Sequence, residues 1–312
     1  MSKIRVALFG YGHLGKWHAQ KVSQLEESEL SVIIEPFLEN RERAKEVYPN
    51  TLVVSDWTEV KDKFDAAIVA TPTSFHYQLV KELLEADKNI FCEKPLTETI
   101  EEAITLQSIE KGKSVVVQVG HSERFHKFWE EKVNYPEFFT KKSVVRINRV
   151  APFKGRATDV DVVSDLMIHD FDLLHYLFEE RPYKVMAWGD RIRTEKWDYV
   201  HVDLFYKSGR KATITASRNH VLEMRDLEIT TEDGCLYFDM VQEKRLAFLK
   251  SDHEVNSKQF EKSDHLLEEQ RYFYNSIINE KESFVGIEEG VDAVKMVSLV
   301  VESLETGLEV EI

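Results

Sequence analysis

Ile4-Arg5-Val6-Ala7-Leu8-Phe9 runs without a break into Gly10-Tyr11-Gly12-His13-Leu14-Gly15, and helical apolar spacing follows over Leu14–Leu25. A strand, three glycines in G-x-G-x-x-G spacing and a helix open a βαβ dinucleotide-binding unit. The first glycine permits a tight turn, the second lets the backbone approach a pyrophosphate, and the third lets the helix lie close on the strand. The helix N-terminus then turns its unpaired N–H groups toward the phosphates. Glycine triplets are common by chance, so the weight comes from the strand before and the helix after. A plain turn, or a phosphate loop for another ligand, is the competing reading.

Glu35 sharpens it. It ends the next strand, about 20 residues beyond the loop, where an acidic side chain bonds the adenosine ribose hydroxyls. Pro36 and Phe37 follow instead of an arginine, so a 2′-phosphate would meet a carboxylate unaided. The cofactor therefore reads as NAD rather than NADP.

Further along, strand-like and helix-like stretches alternate. The strands read Ile4–Phe9, Leu30–Glu35, Thr51–Val54, Ala66–Thr71, Asn89–Cys92 and Ser114–Val119, with clear helices at Leu14–Leu25, Ser74–Ala86 and Glu101–Lys111. Apolar strands alternating with helices imply a parallel sheet covered on both faces. After residue 120 the pattern changes. A strand at 143–150 and a helix at Val162–Phe178 precede a run of alternating strands between Lys184 and Leu249, with turns at Ser208-Gly209 and Asp233-Gly234. Helices near 264–279 and 288–305 close the chain. The fold class is α/β: an N-terminal Rossmann doubly wound parallel sheet (residues 1–120), then an α+β domain with a largely antiparallel open sheet (residues 121–312). The C-terminal helix is free to pack back on the first domain.

Bulk properties bound the function. The 312 residues are 43% hydrophobic and 31% charged, with a formal net charge of -15, which argues against a nucleic-acid binder. Apolar runs are strand-sized, so no membrane span is expected. Met1-Ser2-Lys3 leaves no room for a signal peptide, and a cytoplasmic setting is expected. Cys92 and Cys235 provide neither a disulfide framework nor metal spacing.

Three segments carry candidate chemistry. Ala70-Thr71-Pro72-Thr73-Ser74 ends the fourth strand beside the expected cofactor crevice. His76 follows one turn on, as a cofactor contact or as a cap or surface residue. The fifth strand ends Phe91-Cys92-Glu93-Lys94-Pro95-Leu96, where Pro95 keeps Lys94 out of helical geometry; a surface lysine in a turn is the alternative. Asp165, His169 and Asp172 are spaced four and three apart on a helix whose other positions are mostly apolar, so they line one face. Such a stripe faces a cleft or else solvent, with a capping aspartate. Asp and His at this spacing also raise a metal, but no third ligand is apparent and none is expected.

Together these segments resemble the glucose–fructose oxidoreductase, inositol dehydrogenase and MocA family, over essentially the whole chain. The markers are the Gly10/Gly12/Gly15 loop, Ala70-Thr71-Pro72, Glu93-Lys94-Pro95 and the Asp165…His169…Asp172 helix. The resemblance implies a nicotinamide-dependent dehydrogenase of CH–OH groups, with Lys94, Asp165 and His169 as the catalytic group. Its open sheet supports homodimers or homotetramers. Around the cofactor we expect Gly10, Tyr11, Gly12, His13, Leu14, Gly15, Glu35, Thr71, Pro72, His76, Glu93 and Lys94. Val119-Gly120-His121-Ser122-Glu123-Arg124-Phe125 and Thr215-Ala216-Ser217-Arg218 look like the UDP-N-acetylglucosamine 3-dehydrogenase branch. His126 stands where that branch usually carries asparagine, and Met167 where the wider family usually has glycine. The implied substrate is a sugar or nucleotide sugar, with Asp172 on a sugar hydroxyl. Arg124, Arg149, Arg218 and Arg225 are candidates for a diphosphate, Arg218 foremost. Alternatives are a dehydrogenase of a free polyol or aldose, and a non-catalytic NAD-sensing protein.

Overall fold

Six short apolar strands form one parallel sheet: β1 (Ile4–Phe9), β2 (Ser28–Ile34), β3 (Leu52–Val54), β4 (Ala66–Val69), β5 (Asn89–Glu93) and β6 (Val117–Gly120). The computed structural model describes residues 3–155, 158–251 and 253–312; Met1 and Ser2, on which the expectation about a leader rests, lie outside them. The strand order β3-β2-β1-β4-β5-β6 reverses between β1 and β4. That reversal opens a crevice at the carboxyl ends of these two strands. Helices α1 (His13–Gln24), α2 (Leu38–Val47), α3 (His76–Glu85) and α4 (Ile100–Glu110) connect the strands. β4 is buried at every position, as a strand covered on both faces must be.

A second, nine-stranded sheet follows. It contains β7 (Val144–Val150), β8 (Lys184–Asp190), β9 (Tyr199–Phe205), β10 (Lys211–Ser217), β11 (Met224–Thr231), β12 (Gly234–Asp239), β13 (Lys244–Leu249), β14 (Asn256–Gln259) and β15 (Val310–Glu311). The order is β14-β13-β12-β11-β7-β10-β9-β8-β15. β7 and β10 pair in parallel and the other neighbours are antiparallel. Alternate residues such as Ile147, Val202, Ile214, Leu227 and Leu236 point into one core. There they meet the helices α5 (Pro136–Thr140), α6 (Ile168–Phe178) and α8 (Ile287–Thr306), the last packing through Met296, Val300 and Leu304. The opposite face carries polar pairs, Arg146–Glu228 and Asn148–Asp226.

The chain divides into two compact units, Met1–Ser122 with Asp264–Val294, and Glu123–Ser263 with Lys295–Ile312. The first therefore includes α7 (His265–Ile278), whose Phe273 and Tyr274 are fully buried with Val6, Leu8, Ile68 and Phe91. Among the described residues, no helix is long and apolar enough to cross a membrane.

Two local features depart from expectation. The helix expected over Val162–Phe178 is a π-helical turn, Val163–Met167, followed by α6 from Ile168. β14 and β15 were not expected, because Asn-Ser-Lys-Gln is wholly exposed and β15 has only two residues. Neither carries an apolar alternation to read.

Candidate active site

The three loop glycines are required by different neighbours. Gly10 adopts φ +90°, and a Cβ there would lie 2.8 Å from the Ala70 carbonyl oxygen. A Cβ on Gly15 would lie 2.0 Å from the Gly10 oxygen, so only glycine lets α1 sit this close to β1. At Gly12 nothing stands within 4 Å of the added atom. Gly12, His13 and Leu14 are exposed, and α1 has neither a side-chain cap nor an acidic residue in its first turn. Its first N–H groups are thus open to an anion. Glu35 is buried and ties the loop to the end of β2: its carboxylate accepts from the Tyr11 N–H (2.8 Å) and the Phe37 N–H (2.9 Å). Thr71 adds a buried hydroxyl that finds no partner among the described residues, while its methyl lies against the Gly10 turn. An open anion-binding helix end, a carboxylate at the second strand and an orphaned hydroxyl between them fit a dinucleotide.

Beyond Thr71, a set of hydrogen bonds holds the Glu93-Lys94-Pro95 turn. Lys94 is half-buried, and the Lys94–Pro95 peptide bond is cis. His76 is buried, with Nδ1 2.7 Å from the Pro95 oxygen and Nε2 2.9 Å from the Thr71 oxygen. Burial lowers its pKa, so a neutral ring donates its single N–H to one of these carbonyls at a time. Both polar atoms of His76 face the protein's own backbone, and the ring braces the two loops against each other. Glu93 is also buried. Burial favours its neutral form, but His18 outweighs this and holds its pKa below the usual value. The Gln270 amide stands 2.8 Å from His18 Nδ1, leaving Nε2 to donate to Glu93 Oε1 at 2.7 Å. The second Glu93 oxygen accepts from the Lys94 N–H at 3.2 Å. Glu93 thus fixes the backbone that carries Lys94.

In the second unit, Asp161 Oδ1 accepts from the Ser164 N–H (2.7 Å) and starts the π-helical turn. Asp165 lies within this turn, and half-buried His169 on the first turn of α6. Arg218 donates to Asp165 Oδ2 at 2.9 Å. Arg124 and Asp172 form a two-pronged pair at 2.6 and 2.8 Å, with side chains only 4% and 1% exposed. Each Asp172 oxygen thus accepts one bond from Arg124, so a sugar hydroxyl at Asp172 would be a further bond on an oxygen already in use. Arg149 is likewise buried, paired with Asp170 and Glu123, and Arg225 donates to the same Glu123 oxygen as Arg149. Burial would raise the Glu123 pKa, yet Arg149 and Arg225 hold it well below the usual range. His126 lies between Glu123 (2.9 Å) and Glu243 (3.1 Å) and stacks on Phe128. Burial opposes its protonation, but the two carboxylates prevail and raise its pKa. The residue that departs from the expected asparagine is thus a buried charge link.

Three features escaped the sequence. His18 and Gln270 are 252 positions apart, and nothing local marks either. Arg41, in the first turn of α2, donates to the Glu35 and Pro36 carbonyls at 2.9 and 2.6 Å, so a cation does stand near the end of β2. The π turn leaves no trace in apolar spacing.

Residues 4–121 match the oxidoreductase family with an NAD-binding Rossmann fold (Gfo/Idh/MocA), and residues 146–237 match its C-terminal domain. The chain is 33% identical over 222 residues to UDP-N-acetylglucosamine 3-dehydrogenase of Acidithiobacillus ferrooxidans, covering 70% of this chain and 68% of that protein. The chain belongs to the Gfo/Idh/MocA family. As a member it is a dehydrogenase of CH–OH groups that uses a nicotinamide cofactor. A solved structure of the Acidithiobacillus enzyme aligns with a TM-score of 0.89 at 28% identity, covering 98% of this chain and 99% of that one. Inositol 2-dehydrogenase of Rhizobium meliloti is 28% identical over 236 residues, 69% of each chain. The relatives named here are dehydrogenases of a nucleotide sugar and of an inositol.

Proposed function

We propose that this chain oxidises a secondary hydroxyl of a sugar with NAD, and that the sugar is UDP-N-acetylglucosamine, oxidised at carbon 3. The observation that carries this reading is the 33% identity to an enzyme of that name, joined to the Ser122–Phe125 and Thr215–Arg218 segments of the same branch. The unit of residues 1–122 and 264–294 supplies the cofactor side, and that of residues 123–263 and 295–312 the substrate side. Gly10, Gly12 and Gly15 cradle the pyrophosphate, with the exposed backbone of His13 and Leu14, while Thr71 and Pro72 flank it. Glu35 receives the ribose hydroxyls, and its carboxylate disfavours a 2′-phosphate. A nicotinamide cofactor held by these residues would supply the hydride acceptor for the sugar carbon. His169 takes the hydroxyl proton as general base. Lys94 donates to the same oxygen and stabilises its developing charge, on a backbone held by Glu93.

A second reading has its own support. Arg124, Arg149, Arg218 and Arg225 are each paired with a carboxylate of this chain. A free polyol or aldose, such as an inositol, needs no diphosphate clamp. Purified protein mixed with NAD or NADP and a panel of UDP-sugars, aldoses and inositols, followed by NAD(P)H absorbance, separates the readings. Turnover of UDP-N-acetylglucosamine with NAD is expected; turnover of inositols alone replaces it with the second reading, and NAD binding without any turnover points to a sensor.

A further inference from the structure

Asp165 sits in a π-helical turn, a rare geometry found mostly as single turns and frequently at functional sites. Besides Asp161, which accepts from the Ser164 N–H, one distant side chain reaches this segment. Arg218 immediately follows β10, a strand flanked on both sides by β7 and β9. Its own N–H donates to the Asp198 carbonyl at 3.1 Å, which fixes the backbone at the strand end. From there its guanidinium donates to the Val160 oxygen at 2.7 Å, to the Asp161 oxygen at 3.5 Å and to Asp165 Oδ2 at 2.9 Å. The Arg218 side chain is 9% exposed and that of Asp165 29%. A buried cation thus stands behind a carboxylate that is partly open.

The geometry points to Arg218 as the positioning residue for Asp165, rather than as a ligand of the substrate's phosphates; this rests on the catalytic reading of Asp165 and His169. Both terminal nitrogens of the guanidinium engage the 160–165 segment, so a bidentate grip on a diphosphate would mean abandoning Asp165. One residue therefore sets two things: the register of the π turn, through the two carbonyls, and the rotamer and charge of Asp165, through its carboxylate. His169 follows four positions later on α6, so the relative placement of the two side chains depends on that register. Arginine suits the task because its planar fork spans several acceptors at once, whereas a lysine ammonium is a single point of charge.

The test compares Arg218→Ala, Arg218→Lys, Asp165→Asn and the double variant Arg218→Ala/Asp165→Asn. Turnover is measured with NAD and UDP-N-acetylglucosamine, or with myo-inositol if only that donor is turned over. NAD affinity is followed by calorimetry, and melting temperature confirms that each variant is folded. Arg218→Ala is expected to lower kcat about 10-fold or more while both KM values stay within about twofold. Arg218→Lys should recover part of the loss. In the Asp165→Asn background, removing Arg218 should change kcat by less than about twofold, because the two act as a unit. A raised KM for the sugar with kcat intact makes Arg218 a substrate ligand and overturns the proposal, as do losses that multiply in the double variant. Should Arg218→Ala not fold, the Arg218→Lys comparison in both backgrounds decides by the same criteria. Wild-type kcat in Asp165→Asn instead defeats the catalytic reading of Asp165, which separates that failure from this one.

Discussion

In the mechanism proposed here, replacing Lys94 or His169 removes one group that handles the hydroxyl proton or its charge and leaves the glycine loop untouched. Turnover should fall by about 10²–10⁴-fold in Lys94→Ala and His169→Ala, with NAD affinity by calorimetry nearly unchanged. Full turnover in Lys94→Ala would overturn its assignment. His126 makes a different prediction, about stability. Its pKa in the folded chain is raised despite burial, through Glu123 and Glu243. The stabilisation is therefore fully present below the unfolded value of about 6.5 and is lost as pH rises through the folded value. Glu123, held low, acts the other way and loses its contribution only as pH falls through its folded pKa. Melting temperature should decline from about pH 6.5 upward, and His126→Asn should flatten that slope. An unchanged slope in the variant means that His126 is not the titrating group. His126 was legible in sequence as a departure from a pattern; its partner Glu243, 117 positions away, was not.

Among elements, the β1–loop–α1 unit was the most legible, since its requirements are local. Its glycines separate binding from folding. Gly12→Ala places a methyl in open space where the pyrophosphate is expected, so it should weaken NAD binding by about 10-fold or more with little change in melting temperature. Gly15→Ala drives a methyl into the Gly10 carbonyl and should destabilise the fold by about 1–3 kcal/mol. Equal melting temperatures for the two variants would contradict this division. The π turn at Val163–Met167 was not legible. Apolar residues spaced for an α-helix tolerate one wider turn, and the arginine that steadies it arrives from a strand more than 50 residues later.

At the largest scale, the nine-stranded sheet turns one face into the core of its own unit and carries polar and aromatic side chains on the other. Trp188 is 55% exposed on that face and stacks with Tyr199 and His201. We propose that this face pairs with further copies of the chain, with the exposed Trp188 at the contact. Analytical ultracentrifugation should show a dimer or tetramer, and Trp188→Arg should shift it toward monomer. A monomeric wild-type protein would exclude the pairing.

Apolar periodicity and glycine spacing by themselves determined the two sheet types and most strand limits. They also marked the dinucleotide loop, whose requirements are local; a strand-end turn and one polar helix face singled out Lys94, Asp165 and His169 as candidates, and the family resemblance implied their catalytic role. Only the tertiary structure decided which polar groups are spent on each other. Four arginines that looked available to a phosphate are paired with Asp172, Glu123, Asp170 and Asp165, and His76 is turned to backbone carbonyls. A buried ionisable group must find a partner wherever the fold supplies one, and strand order, not sequence distance, sets who that partner is.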